Sequence, residues 1–155
     1  MKAVIFAVFI LVIGVLYGSV AIASDSTEMR AEADQFYLDK NFKKAHKLYF
    51  KLAKTGDYFS QGRVSYMYAN GEGKSVDLSE AYAWSKLAEE GGDSFVSETS
   101  TQLLGKISDK EAAQKKADKL FAKYGQKALA YKAQRRAEMD AARRSGSSMG
   151  SNLSR

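Results

Sequence analysis

The chain has 155 residues, no cysteine and no proline, and 24 lysines and arginines against 18 aspartates and glutamates, for a formal net charge of +6. The lack of cysteine excludes disulfides and a thiol-linked lipid anchor. The lack of proline argues against a turn-rich β fold and for helices joined by Gly, Asn and Asp turns. The charge is unevenly spread: Ser24 to Ser108 holds 11 basic and 13 acidic residues, whereas Asp109 to Arg144 holds 11 and 5. The basic character is therefore expected in the C-terminal helix and not in the body.

Met1-Lys2 is followed by an apolar run from Ala3 to Leu16, broken only by Gly14, and then by Gly18, Ser19 and Ala21-Ile22-Ala23. One cation, an apolar core and an A-x-A site describe a secretory signal peptide over 1–23, cleaved after Ala23. The alternative is an uncleaved anchor, since the run nearly reaches the ~20 residues that span a bilayer. Export to the periplasm or beyond is the expected localisation. The mature chain is long enough for one domain with a modest core.

A first helix is expected from about Thr27 to Lys40, with Ala33, Phe36 and Tyr37 on its apolar face. Asn41 is the expected N-cap of a second helix. Phe42, Ala45, Leu48, Tyr49, Leu52 and Ala53 follow at helical spacing, and Gly56 closes it. A third helix covers about Tyr58 to Asn70, with Val64, Met67 and Tyr68 inward, and ends in Gly71-Glu72-Gly73. Asp77 caps a fourth, carrying Leu78, Ala81, Trp84, Leu87 and Ala88, ended by Gly91-Gly92. A fifth, about Ser94 to Lys106, is weakened by its Ser and Thr content, with Phe95, Val96, Leu103 and Leu104 apolar.

Ser108-Asp-Lys-Glu111 reads as a capping box opening a sixth helix through Ala112, Lys116, Leu120 and Tyr124, which Gly125 ends or weakens. Lys127 to Arg144 is again helical in character. The chain thus divides into repeats over 24–107, a basic capping helix over 108–144 and a disordered tail over 145–155.

A recurrence ties the middle helices together. Ala45 to Asp57 returns 36 residues later as Ala81 to Asp93, with Ala45 on Ala81, Leu48 on Trp84, Gly56 on Gly92 and Asp57 on Asp93. A repeat of this length and pattern is the signature of an α-solenoid. The run Val64-Ser65-Tyr66-Met67-Tyr68-Ala69-Asn70-Gly71-Glu72-Gly73, then Asp77, then Glu80-Ala81-Tyr82-Ala83-Trp84, resembles the Sel-one-like repeat, a relative of the tetratricopeptide repeat. The likeness covers about Phe42 to Asp93. It departs at Met67, where the family carries Leu, at Ser65, where it carries Gly, and at Glu89, where it carries Ala. The first helix pair lacks Gly-x-Gly. The resemblance implies an all-α fold, a short solenoid of helical hairpins in which each hairpin buries its face against the next, followed by the long basic C-terminal helix that the charge distribution predicts. It also implies a concave groove lined by the first helix of each pair, with Arg63 and Tyr66 as ligand contacts. Arginine and tyrosine are common interface anchors.

No catalytic constellation emerges. Gly73-Lys74-Ser75 looks like the end of a phosphate-binding loop, but the required earlier glycine is Tyr68 and a helix precedes instead of a strand. His46, the only histidine, has no ligand or triad partners at recognisable spacing and is expected on a partly exposed helix face. Asp25/Glu28 and Glu89/Glu90 lie at helix ends, where solvation or capping suffices. Tyr58, Tyr66 and Tyr82 fall at positions the repeat leaves free.

The longest charge-biased stretch runs from Lys115 to Arg144. Its Lys116, Lys123, Arg135 and Arg136 are candidate contacts for an acidic partner, an anionic membrane or a cell-wall polymer such as peptidoglycan. Without aromatic interleaving it does not suit nucleic acid. The expectation is a non-enzymatic envelope protein, without metal or cofactor, that binds another protein or peptide as adaptor, assembly factor or regulator. The alternative is adhesion to an anionic surface through the basic helix. Self-association into a homodimer is a further way for so short a solenoid to complete its core.

Overall fold

The computed structural model describes residues 25–92 and 94–150. The predicted export segment and its cleavage point, Asp93, the Phe95 side chain and the last five residues lie outside the described residues. The described chain is all-helical: α1 over 25–38, α2 Phe42–Ala53, α3 Tyr58–Asn70, α4 Leu78–Ala88 with a 3₁₀ turn Glu89–Gly91, α5 Ser94–Lys106, α6 Lys110–Tyr124 and α7 Gln126–Gly150. None of the described helices is long and apolar enough to cross a membrane.

Aspartates start three of these helices. Asp57 accepts from the Ser60 N–H, Asp77 from Glu80 at 2.8 Å and Asp109 from Ala112 at 2.9 Å. Each supplies one of the otherwise unpaired first-turn N–H groups with an acceptor and puts negative charge at the positive end of the helix. Asp109 displaces the predicted capping box. Ser108 lies one residue outside, and Glu111 pairs with Lys115 instead. The buried line of α6 is accordingly Ala113 and Ala117, with Ala112 exposed.

Asn41 stands at the start of α2 but its side chain makes no cap bond. Its φ of −82° and ψ of 63° lie outside the extended region that aims a capping side chain at the first turn. The preceding turn closes α1 instead. The Asn41 N–H reaches the Phe36 carbonyl at 2.8 Å and the Lys40 N–H reaches Tyr37 at 3.0 Å. This Schellman pattern holds Lys40 at φ +57°, where glycine is the usual occupant.

The Gly71-Glu72-Gly73 turn forms as read. Both glycines have positive φ, and a Cβ on Gly73 would stand 2.4 Å from the Phe42 carbonyl oxygen. The turn after α3 therefore lies against the start of α2, and only glycine permits the approach. Gly56 and Gly92, 36 residues apart, are both left-handed, so the recurrence holds in conformation.

Two clusters form the core. The first joins Ala33 of α1, Ala45, Tyr49 and Ala53 of α2, Val64 and Met67 of α3, and Trp84 of α4. The second joins Ala81, Tyr82 and Ala83 to Leu103, Ile107, Ala113 and Ala117. α4 is the hub, packing on α3, α5 and α6, while α2 packs on α3. Small residues at Ala81 and Ala83 facing Ala113 and Ala117 let backbones approach. Trp84 fills the remaining space, stacked on Tyr124 with ring centroids 5.8 Å apart and edge-on to Phe50 at 5.3 Å. Burying such a ring removes ~150–250 Å² from water, about 4–6 kcal/mol at ~25 cal/mol per Å². Tyr82, at a position the repeat pattern leaves free, is buried in the second cluster, and its hydroxyl donates to Gln114 of α6 at 2.8 Å.

Gly125 ends the basic helix rather than merely weakening it, so the 108–144 capping segment is two helices. Gly125 has extended backbone (ψ 153°) and separates α6 from α7. α6 packs into the body; α7 contacts α6 and, through Gln126, reaches Glu90 and the Gly56 carbonyl. Beyond Ala130 the described side chains of α7 are exposed. The helical backbone continues through Gly150, past the predicted start of a disordered tail at Ser145. Once started, a helix adds one backbone hydrogen bond per residue at little cost, so serines extend it although they would not nucleate it.

Candidate functional site: a groove between α3, α4 and α5

A groove of about 580 Å³ runs along α3, walled by α4 and α5. Its floor is made of small residues, Gly62 and Ser65 from α3 and Ser85 and Ala88 from α4. The Ser65 hydroxyl donates to the Ala81 carbonyl at 2.7 Å and Ser85 to Tyr82 at 2.8 Å. Both serines thus satisfy themselves on helix backbone. Tyr58, Phe59, Tyr66 and Val96 supply the walls. Phe59 and Tyr66 are about half exposed, at 45% and 50%, a substantial aromatic area left in water.

Gly62 is the informative floor residue. It lies in the interior of α3, where glycine costs about 1 kcal/mol relative to alanine. A Cβ there would meet nothing within 4 Å. Packing therefore does not require this glycine; what its missing side chain leaves is room in the groove.

One charge is held at the rim. The Arg63 guanidinium lies 5.2 Å from the centroids of both the Tyr37 and the Phe59 rings, and Arg30 covers the same Phe59 ring at 5.4 Å. Arg30 is paired with Asp57, whereas Arg63 has no carboxylate partner among the described residues. Two cation–π contacts fix its position and leave its charge available. Burial and the Glu72 carboxylate push the neighbouring Tyr37 hydroxyl up to about 12. Burial, then the hydrogen bond to Asp34, pushes the Tyr49 hydroxyl higher still. Both phenols remain protonated donors at neutral pH. Among the described residues there is no group of three His, Cys, Asp or Glu side chains placed to hold a metal.

The structure brings Arg63 and Tyr66 to one groove and leaves the other four predicted contacts outside it. Lys116 is occupied: its ammonium lies 3.2 Å from both Asp77 and Glu80, tying α6 to the start of α4. Burial alone would push Asp77 up and Lys116 down. The Glu80 N–H and Lys116 outweigh this for Asp77, which sits below its ordinary value. Bonds to Asp77 and Glu80 do the same for Lys116, which sits above its own. Lys123 is exposed and its carbonyl accepts from Lys132. Arg135 reaches the Tyr131 hydroxyl at 3.5 Å, and Arg136 is exposed one residue on.

His46 departs most from expectation. It is 4% exposed, stacked on Phe50 and edge-on to Tyr68. Burial, with Lys74 nearby, lowers its pKa to about 4. Lys43, Lys44 and Lys47 surround it in sequence and mask this inward turn. Gly62 and Phe59 were missed as groove residues; the signal available was a glycine inside an otherwise well-formed helix. No protein-family model matches this chain, and no curated protein is similar to it.

Proposed function

We propose that this is a non-enzymatic, exported adaptor-type protein that binds a segment of another protein in the groove along α3. The helical hairpins α1–α2, α3–α4 and α5–α6 are read as a short solenoid of the Sel-like kind, because α2 packs on α3 and α4 on α5 and α6. The observation that carries the reading is the Gly62 floor beneath half-exposed Phe59 and Tyr66, with the unpaired Arg63 charge at the rim. An apolar side chain fills the floor, and a carboxylate of the same segment meets Arg63. Aromatic and arginine anchors around a desolvated pocket are the usual centre of such a contact. Capture of a partner from envelope extracts by the mature chain tests it. Arg63→Ala/Tyr66→Ala should lose the partner while keeping the helical circular dichroism of the wild type. Undiminished capture by the folded double variant would contradict the reading.

A second reading is favoured by the exposure of α7, where Lys127, Lys132, Arg135, Arg136, Arg143 and Arg144 face Glu138 and Asp140 alone. It is electrostatic adhesion to an anionic lipid or cell-wall surface, weakening with salt as the screening length shortens. Co-sedimentation with anionic vesicles and with peptidoglycan separates the two readings.

A further inference from the structure

Lysines crowd one face of α2. Lys43, Lys44, Lys47 and Lys51 are exposed, and no aspartate or glutamate lies between Lys40 and Gly56. Lys43, Lys47 and Lys51 follow one another at i, i+4 and i+8, a line of charges ~6 Å apart along the helix axis. Lys54 extends the line, and Lys74 joins it from the turn after α3. These five lysines edge a groove of about 820 Å³ that also contains His46, Phe50 and Tyr68. Lys43, Lys47, Lys51 and Lys74 form no ion pair with any described residue. The His46 Nε2 has no hydrogen-bond partner. A buried, unpaired ring nitrogen is a deficit in the packing beneath the groove.

The 36-residue recurrence shows what kind of object fits. It maps Lys43, Lys47 and Lys51 onto Ser79, Ala83 and Leu87, and His46 onto Tyr82. On α4, Tyr82 and Ala83 are buried with Ala113 and Ala117 of α6, and the Tyr82 hydroxyl bonds Gln114 of that same helix. The face that a helix covers on α4 is open on α2, lined with unpaired cations, and has an unsatisfied ring where α4 has a satisfied one.

We propose that the α2 groove is a second docking site, for an acidic α-helix of a partner protein whose carboxylates, spaced four residues apart, meet Lys43, Lys47 and Lys51. The helical shape follows from what covers the equivalent face of α4. The acidity follows from the lysine line, since matched i, i+4 ridges bring one carboxylate to each ammonium. The site is separate from the α3 groove and does not depend on it.

The probe is a fluorescein-labelled, helix-forming synthetic peptide with glutamate at every fourth position, titrated by anisotropy into the mature chain at physiological salt. His46, the sole histidine, gives a single imidazole NMR signal that reports on the groove. The expected result is one-to-one binding that shifts this signal. Lys47→Glu/Lys51→Glu should weaken it roughly tenfold or more, and Lys47→Gln/Lys51→Gln by an intermediate factor. Arg135→Glu/Arg136→Glu, with the same change in net charge, should weaken it less than about twofold. Arg63→Ala/Tyr66→Ala should bind the peptide normally, so a failure here and a failure of the α3 groove are read apart. Equal weakening by both charge-reversal pairs would overturn the proposal. So would displacement of the peptide by inorganic polyphosphate at equal charge with the same His46 shift, which marks a simple anion site. Salt-sensitive self-association that excludes the peptide would also overturn it, the occupant then being a second copy of the chain.

Discussion

α2 and α4 carry related sequences and live in different surroundings. Both place alanine at the start of the buried line, Ala45 and Ala81, and both are followed by a left-handed glycine. α4 is packed by α3, α5 and α6, and buries Ala81 to Ser85 without a break. α2, packed on α3, buries a narrower face and turns its lysines to solvent. The two helices share their buried alanines and differ in whether another helix, α6 on α4, covers the remaining face. The uncovered face of α2 is thus free to carry charge where the covered face of α4 carries alanine.

The largest effect should come at Trp84, contrasted with the equivalent Leu48 of α2. Trp84→Ala is expected to destabilise by about 3–5 kcal/mol and Leu48→Ala, at the equivalent but half-buried position, by only about 1–2 kcal/mol. Chemical denaturation of both variants measures the contrast, and equal losses would break it.

Next is pH. The folded His46 takes its proton near 4 and the ordinary imidazole near 6.5. Between those values the unfolded chain binds more protons. Stability is therefore fully present above 6.5 and falls as pH drops towards 4, by at most about 3 kcal/mol. His46→Phe should flatten that slope in a pH series of melts.

Caps give a smaller contrast. Asp77→Ala removes a cap bond and the Lys116 pair and should cost about 1–2 kcal/mol, whereas Asn41→Ala, whose side chain caps nothing, should cost under about 0.5 kcal/mol. The smallest effect has the opposite sign. Gly62→Ala should stabilise by about 0.5–1 kcal/mol through helix propensity while taking room from the α3 groove, so that melting temperature rises as partner capture falls.

Much of the fold was legible because local chemistry and tertiary packing agree. The bounds of α3, the Gly71–Gly73 turn and the Asp77 cap follow from residues that act within one turn of themselves. What failed was set from farther away. Ser108 lost its cap to the adjacent Asp109, which offers charge as well as an acceptor. Tyr82 and His46 were turned inward by neighbours that sequence spacing does not reveal, α6 in one case and the Phe50–Tyr68 pair in the other. Of the candidate contacts, Arg63 and Tyr66 meet in one groove. Lys116 does not join them, because two carboxylates of α4 hold it.

The central claim is that the α3 groove is the binding face. Photocrosslinking in cells, with p-benzoylphenylalanine in place of Tyr66 or of Tyr131 on α7, tests it most directly. The account predicts a discrete adduct from position 66 that disappears when Gly62→Phe fills the floor, and none from position 131. Adducts from 131 alone, or an adduct from 66 indifferent to Gly62→Phe, would contradict it.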